Sequence, residues 1–110
     1  MITTFLDCNM DFHDIPADEV TATRSETIYV FKIGKMHMVW IIEPNDTDNV
    51  YDFMIFNKCK GVDNLYSADP KRVGNSNKLS RLTNKEVIDR LNTIIKFGDK
   101  VYESNRGEIL

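Results

Sequence analysis

The sequence predicts an α+β domain: an antiparallel β-meander of three to five strands with one C-terminal helix packed on it. Three observations carry this expectation. Two runs rich in β-branched and aromatic residues flank a glycine turn, a third such run follows a polar connector, and an amphipathic stretch farther on opens with a helix cap.

In chain order, Ile2 to Leu6 suits an edge strand. Pro16-Ala17-Asp18-Glu19-Val20-Thr21 reads as a short helix, with proline in its first turn and acids at the positive end of its dipole. Thr27 to Ile33 and Met36 to Glu43 read as a hairpin joined by Gly34-Lys35, since a two-residue Gly-x loop is a primed-turn signal. That loop length pairs Ile33 with Met36, Phe31 with Met38 and Tyr29 with Trp40, and sets Lys32 opposite His37. One face of the sheet is then aromatic and thioether-rich. The other carries Ile28, Val30, Val39 and Ile41. Glu43 to Asn49 is a loop by composition, and Val50 to Asn57 is a third strand with Tyr51, Phe53 and Ile55 on one side. Residues 58–81 hold turn signals and few apolar anchors, which predicts a long loop. Thr83 and Glu86 form a capping box, Leu82 and Val87 a hydrophobic staple, and Val87, Ile88, Leu91, Ile94 and Ile95 an apolar stripe. The helix is expected over 84–97, closed by Gly98. Lys100 to Glu103 suits a short strand, followed by a tail to Leu110.

A single domain is expected from 110 residues, 42% of them hydrophobic. The longest apolar run, Met38 to Ile42, is too short to span a bilayer, and the start lacks a secretory pattern, so a cytoplasmic protein is expected. Cys8 and Cys59 belong to no Cys-x-x-Cys pair, and reduced thiols fit that compartment. Glutamine is absent while Asn, Ile and Lys abound, a composition that points to AT-rich coding DNA of the kind found in some bacteria and their phages. The net charge of −3 hides a polarity. Residues 1–26 carry six acids against Arg24, whereas residues 58–81 carry six cations against Asp63 and Asp69.

Chemistry-bearing motifs are lacking. The five glycines are scattered, so no phosphate loop forms, and no nucleophile elbow or zinc-protease helix occurs. No catalytic residue, cofactor or metal is therefore expected. Asp11, His13 and Asp14, with Cys8 nearby, are ligand types without a metal-site spacing. Asp46-Thr47-Asp48 opens like a calcium loop, but Tyr51 and Asn57 stand where glycine and glutamate are needed. His37 reads as an exposed strand-end residue.

A sheet apolar on both faces exposes more than one helix covers, so the N-terminal segment, the long loop, a second copy or a partner must lie against the remainder. This predicts a small non-enzymatic protein that binds another protein and modulates it, by inhibition in the first instance. A phage-encoded inhibitor of a host enzyme or defence system fits the coding style. The expected contact residues are Tyr29, Phe31, Met36, Met38 and Trp40, with an acidic rim of Asp11, Asp14, Asp18 and Glu19. Homo-oligomerisation is the variant in which the partner is a second copy. One alternative is a nucleic-acid accessory protein using Lys58, Lys60, Lys71, Arg72, Lys78 and Arg81 on phosphates and Tyr66 on a base. Another is a small enzyme or nucleotide-binding protein whose site leaves no motif.

Overall fold

The computed structural model describes residues 1–35, 37–58, 66–68 and 78–97. It is an α+β meander. After a 3₁₀ turn at Phe12–Asp14 come β1 (Glu19–Ala22), β2 (Glu26–Ile33), β3 (His37–Pro44), β4 (Tyr51–Lys58), β5 (Tyr66–Ala68), β6 (Lys78–Leu82) and α1 (Asn84–Phe97). The strands form one antiparallel sheet in the order β1-β2-β3-β4, and both β5 and β6 pair with the far edge of β4. The sheet is thus five strands wide, with its last position shared end to end by two short strands.

The hairpin register differs by one residue from the expected one. Ile33 pairs with His37, Phe31 with Val39 and Tyr29 with Ile41, so three residues, 34–36, connect the strands. Gly34 adopts φ +57°, the left-handed conformation that glycine accepts freely, and its N–H donates to the Ile2 carbonyl at 3.0 Å. A one-residue slip sends every side chain of a strand to the other face. Here it brings Val39 and Ile41 over to join Phe31, Phe53 and Ile55, all five without solvent exposure. It sends Met38 and Trp40 to the opposite side. The expected aromatic face of Tyr29, Phe31, Met38 and Trp40 is therefore split between the two sides of the sheet. His37 moves as well: it is not an exposed strand-end residue but 4% exposed, on the same face as Phe31.

The helix matches its sequence signals. Glu86 N–H donates to Thr83 Oγ1 at 3.2 Å, and Thr83 N–H donates to Glu86 Oε1 at 3.1 Å, which closes the capping box. Val87, Ile88, Leu91 and Ile94 are fully buried against the sheet. Burial of this kind stabilises by about 1.5–3 kcal/mol per large side chain. Gly98 and Lys100 to Glu103 lie outside the described residues.

The N-terminal quarter is the main departure. Residues 19–21, expected to end a short helix that begins at Pro16, instead form β1 together with Ala22 on the edge of β2. The proline and acid signals are local, and the open edge of β2 decides the outcome, as tertiary context does for weak propensities. Ile2 makes a parallel bridge to Ile33 rather than heading a strand that runs to Leu6. Phe12 and Ile15 enter the core beside the helix. Two helix asparagines fasten this segment. Asn92 accepts from Leu6 N–H at 2.8 Å and donates to Leu6 C=O at 3.0 Å; Asn84 accepts from Phe12 N–H and donates to Met10 C=O, both at 2.9 Å. Residues 58–81 are not one continuous loop, because β5 and β6 both add to β4.

Candidate protein-binding face

Alternation along the strands assigns each side chain to one side of the sheet. The helix, the 3₁₀ turn and the N-terminal segment all lie on the side of Phe31, Val39 and Phe53. The opposite, outer side carries Ile28, Val30 and Lys32 from β2, Met38, Trp40 and Ile42 from β3, and Met54 and Phe56 from β4. Val30 and Ile42 are sunk between their neighbours at 7% exposure. Ile28, Met38, Trp40, Met54 and Phe56 are only part-buried. No element among the described residues is stacked across them.

One detail gives this face the character of a contact surface. Trp40 and Phe56 hold their rings 4.9 Å apart, tilted by 46°, so the aromatic centre is ordered by its own packing. The Trp40 indole Nε1 is shielded from solvent and has no hydrogen-bond acceptor among the described residues. A buried donor left unpaired is costly. At the edge of the same side stand Glu19 and Glu26, in register with Val30 and Pro44.

The helix side holds the tightest electrostatic cluster. His13 bonds Asp11 through Nδ1 and both oxygens of Glu43 through Nε2 at 3.2 Å, and the Tyr29 hydroxyl donates to Glu43 at 3.0 Å. Phe12 stacks on the His13 ring at 4.0 Å, and Tyr51 stands edge-on to both rings. Burial pulls the imidazole pKa down, but its bonds to Asp11 and Glu43 outweigh this, and the net shift is upward. The His13 backbone N–H and its ring lower the Asp11 pKa despite some desolvation. Desolvation, aided by Glu43, raises both Tyr29 and Tyr51. Both ring nitrogens are occupied by carboxylates, so His13 works as a clasp between the N-terminal segment and the end of β3.

A third feature lies where β6 meets β4. Tyr51 pairs with Leu82 and Phe53 with Leu79, so Ser80 and Arg81 together face Asp52 across a bulge. Arg81 takes φ +59° there, and Asn49 takes φ +62° beside Val50. An open cleft of about 390 Å³ runs between Asp46, Asp52, Ser80 and Arg81. Its charges are of both signs and none of its lining side chains is buried. It selects no ligand class.

The sequence-derived contact residues scatter. Met38 and Trp40 are on the outer side, whereas Phe31 is sealed in the core and Tyr29 is engaged by Glu43. Met36 lies outside the described residues. Asp11 is committed to His13, and Asp18 bonds the Met1 ammonium at 3.0 Å and the Lys32 N–H at 2.7 Å. Asp14 and Glu19 are exposed. Of the nucleic-acid candidates, Lys60, Lys71 and Arg72 lie outside the described residues, as does the Cys59 thiol. Lys58 is in register with Tyr66, Lys78 with Met54, and Arg81 occupies the bulge. Asn84 and Asn92 were not singled out from sequence; their eight-residue spacing beside the apolar stripe was the available signal. Among the described residues no cluster of three His, Cys, Asp or Glu is arranged to hold a metal, and no helix is long and apolar enough to cross a membrane.

Comparison with family models, with curated proteins and with solved structures finds no match to this chain.

Proposed function

We propose that this protein is a non-enzymatic binding module that docks another protein on the outer side of its sheet and modulates that partner by covering it. The observation that carries the proposal is the allocation of the chain's own covering elements. The N-terminal segment and the helix lie together on one side, and the side with Met38, Trp40, Met54 and Phe56 receives neither. Part-exposed Trp, Phe and Met side chains are the types that anchor interfaces. The fitting partner has an apolar patch and a basic border to meet Glu19 and Glu26. Steric inhibition of that partner is the form of modulation a small covering domain delivers. A cytoplasmic setting suits the unpaired, exposed Cys8 thiol.

Capture from a lysate of the cell of origin tests this reading. A protein retained by the wild type should be lost with the double variant Met38→Ser/Met54→Ser, while both fold equally. Trp40 is the only tryptophan, so its emission should shift to shorter wavelength when the captured protein is added. Undiminished capture by the double variant overturns the proposal.

A further inference from the structure

The clasp at His13 carries an inference about control that is independent of what the outer side binds. His13 stands between two carboxylates. Its Nδ1 meets Asp11 Oδ1 at 2.5 Å, and its Nε2 meets both oxygens of Glu43 at 3.2 Å. A carboxylate only accepts, so each of these contacts needs an N–H on the ring. Imidazolium supplies both. Neutral imidazole supplies one, and its other nitrogen is a bare acceptor whichever tautomer it takes. The arrangement is therefore complete only while the ring is charged.

Each neighbouring element brings a group to the ring. Glu43 comes from β3, Tyr29 from β2 and Tyr51 from β4, with the two tyrosine rings edge-on at 5.4 and 5.8 Å. Asp11 comes from its own segment, the exposed Asp14 follows it in the turn, and Asp48 acts on Tyr51 from the loop before β4. α1 presents the uncharged Asn84 amide to Met10 and Phe12. The tyrosines are pushed further from ionisation and Asp11 further into it. Histidine is the side chain whose charge changes in the neutral range.

The two arms of the clasp are unequal. Asp11 is two residues away, and its carboxylate also accepts the His13 backbone N–H at 2.9 Å, so that pairing is local and costs little order. Glu43 is 30 residues away and has the Tyr29 hydroxyl as a second donor at 3.0 Å. A bare Nε2 lone pair facing the Glu43 oxygens is repulsive. We propose that His13 is a protonation switch: the charged ring ties the 3₁₀ turn to the end of β3, whereas the neutral ring keeps its N–H on Asp11 and releases Glu43. The turn at Phe12–Asp14 then opens locally, while the Asn84 and Asn92 brackets hold the segment on α1.

The test is amide hydrogen exchange of the full ¹⁵N-labelled chain at pH values spanning the His13 ring titration, each rate divided by the intrinsic rate at that pH. The Asp14 and Ile15 N–H groups donate to the Asp11 and Phe12 carbonyls. Both should exchange about fivefold faster above the ring midpoint than below it, the share of one hydrogen bond. Leu6 and the buried helix positions Val87, Ile88, Leu91 and Ile94 should show no step. Glu43→Gln gives a second reading. The amide it introduces can donate to a bare Nε2 as well as accept from a protonated one, so the step at Asp14 and Ile15 should vanish with the turn closed throughout. Loss of a plain ion pair would instead leave the turn fast at every pH. Level exchange through the ring titration in the wild type, a step shared by Leu6 and α1, an equal step in Glu43→Gln, or a turn that is fast at every pH in that variant overturns the proposal.

Discussion

The two sides of the sheet are made from similar residues and treated differently by the rest of the chain. On one side Phe31, Val39, Ile41, Phe53 and Ile55 have no exposure, because a helix, a 3₁₀ turn and a tethered N-terminal segment all press on them. On the other, Ile28, Met38, Trp40, Met54 and Phe56 remain part-exposed. Apolar content alone therefore does not decide where a small domain puts its core. The cover does, and here both covering pieces went to the same side.

This contrast is open to direct attack. The largest expected effect is on the sealed side: Phe53→Ala should cost about 3–5 kcal/mol in urea unfolding, whereas Met38→Ser should cost about 1 kcal/mol or less. Similar losses at the two positions would mean that the outer side is as well covered as the inner. Next, Asn92→Ala removes both bonds to the Leu6 backbone and should cost about 1–3 kcal/mol, with faster amide exchange at Leu6 and Phe12. That result would sharpen the comparison by showing that the side chains of α1 keep the inner cover in place. Thr83→Ala should remove about 1 kcal/mol by opening the capping box, as measured by thermal unfolding.

The smallest effect is a pH dependence. The His13 pKa in the folded protein lies above its ordinary value, so the stability from its clasp is fully present below about pH 6.5 and is lost as pH rises through the folded value. Asp11 has the opposite sign: its lowered pKa gives stability that is present above its ordinary value and lost as pH falls through the folded one. The His13 ring resonances should titrate above the free-histidine value in the wild type and at a lower pH in Glu43→Gln than in the wild type. An unchanged midpoint in that variant would show that Glu43 is no part of the clasp.

Much of this architecture was legible in the sequence, for identifiable reasons. β2, β3, β4 and α1 are long and strongly periodic, and the Thr83–Glu86 box and the Leu82–Val87 staple are short-range features complete in themselves. The hairpin register was not legible, because a loop of two or of three residues after Ile33 satisfies the same glycine signal, and only the match of Val39 and Ile41 to the β4 side chains chooses between them. That single residue of difference divided the expected contact set, keeping Met38 and Trp40 and burying Phe31. β1 was missed because Pro16 and the acids after it are good local helix signals, while the edge that claims residues 19–22 lies elsewhere in the chain. The clasp was half visible: Asp11 and His13 are neighbours, but Glu43 arrives from 30 residues away.

The asparagine brackets also bear on how the molecule is made. They join points 86 and 72 residues apart in sequence, Leu6 to Asn92 and Phe12 to Asn84. Neither latch can close on a growing chain until α1 has left the ribosome, so residues 6–12 must wait for 72 to 86 further residues to be made before they find their seat. Contacts of such long range slow folding. The nascent hairpin therefore spends that interval with both of its greasy sides bare, and it is then that a chaperone would find it.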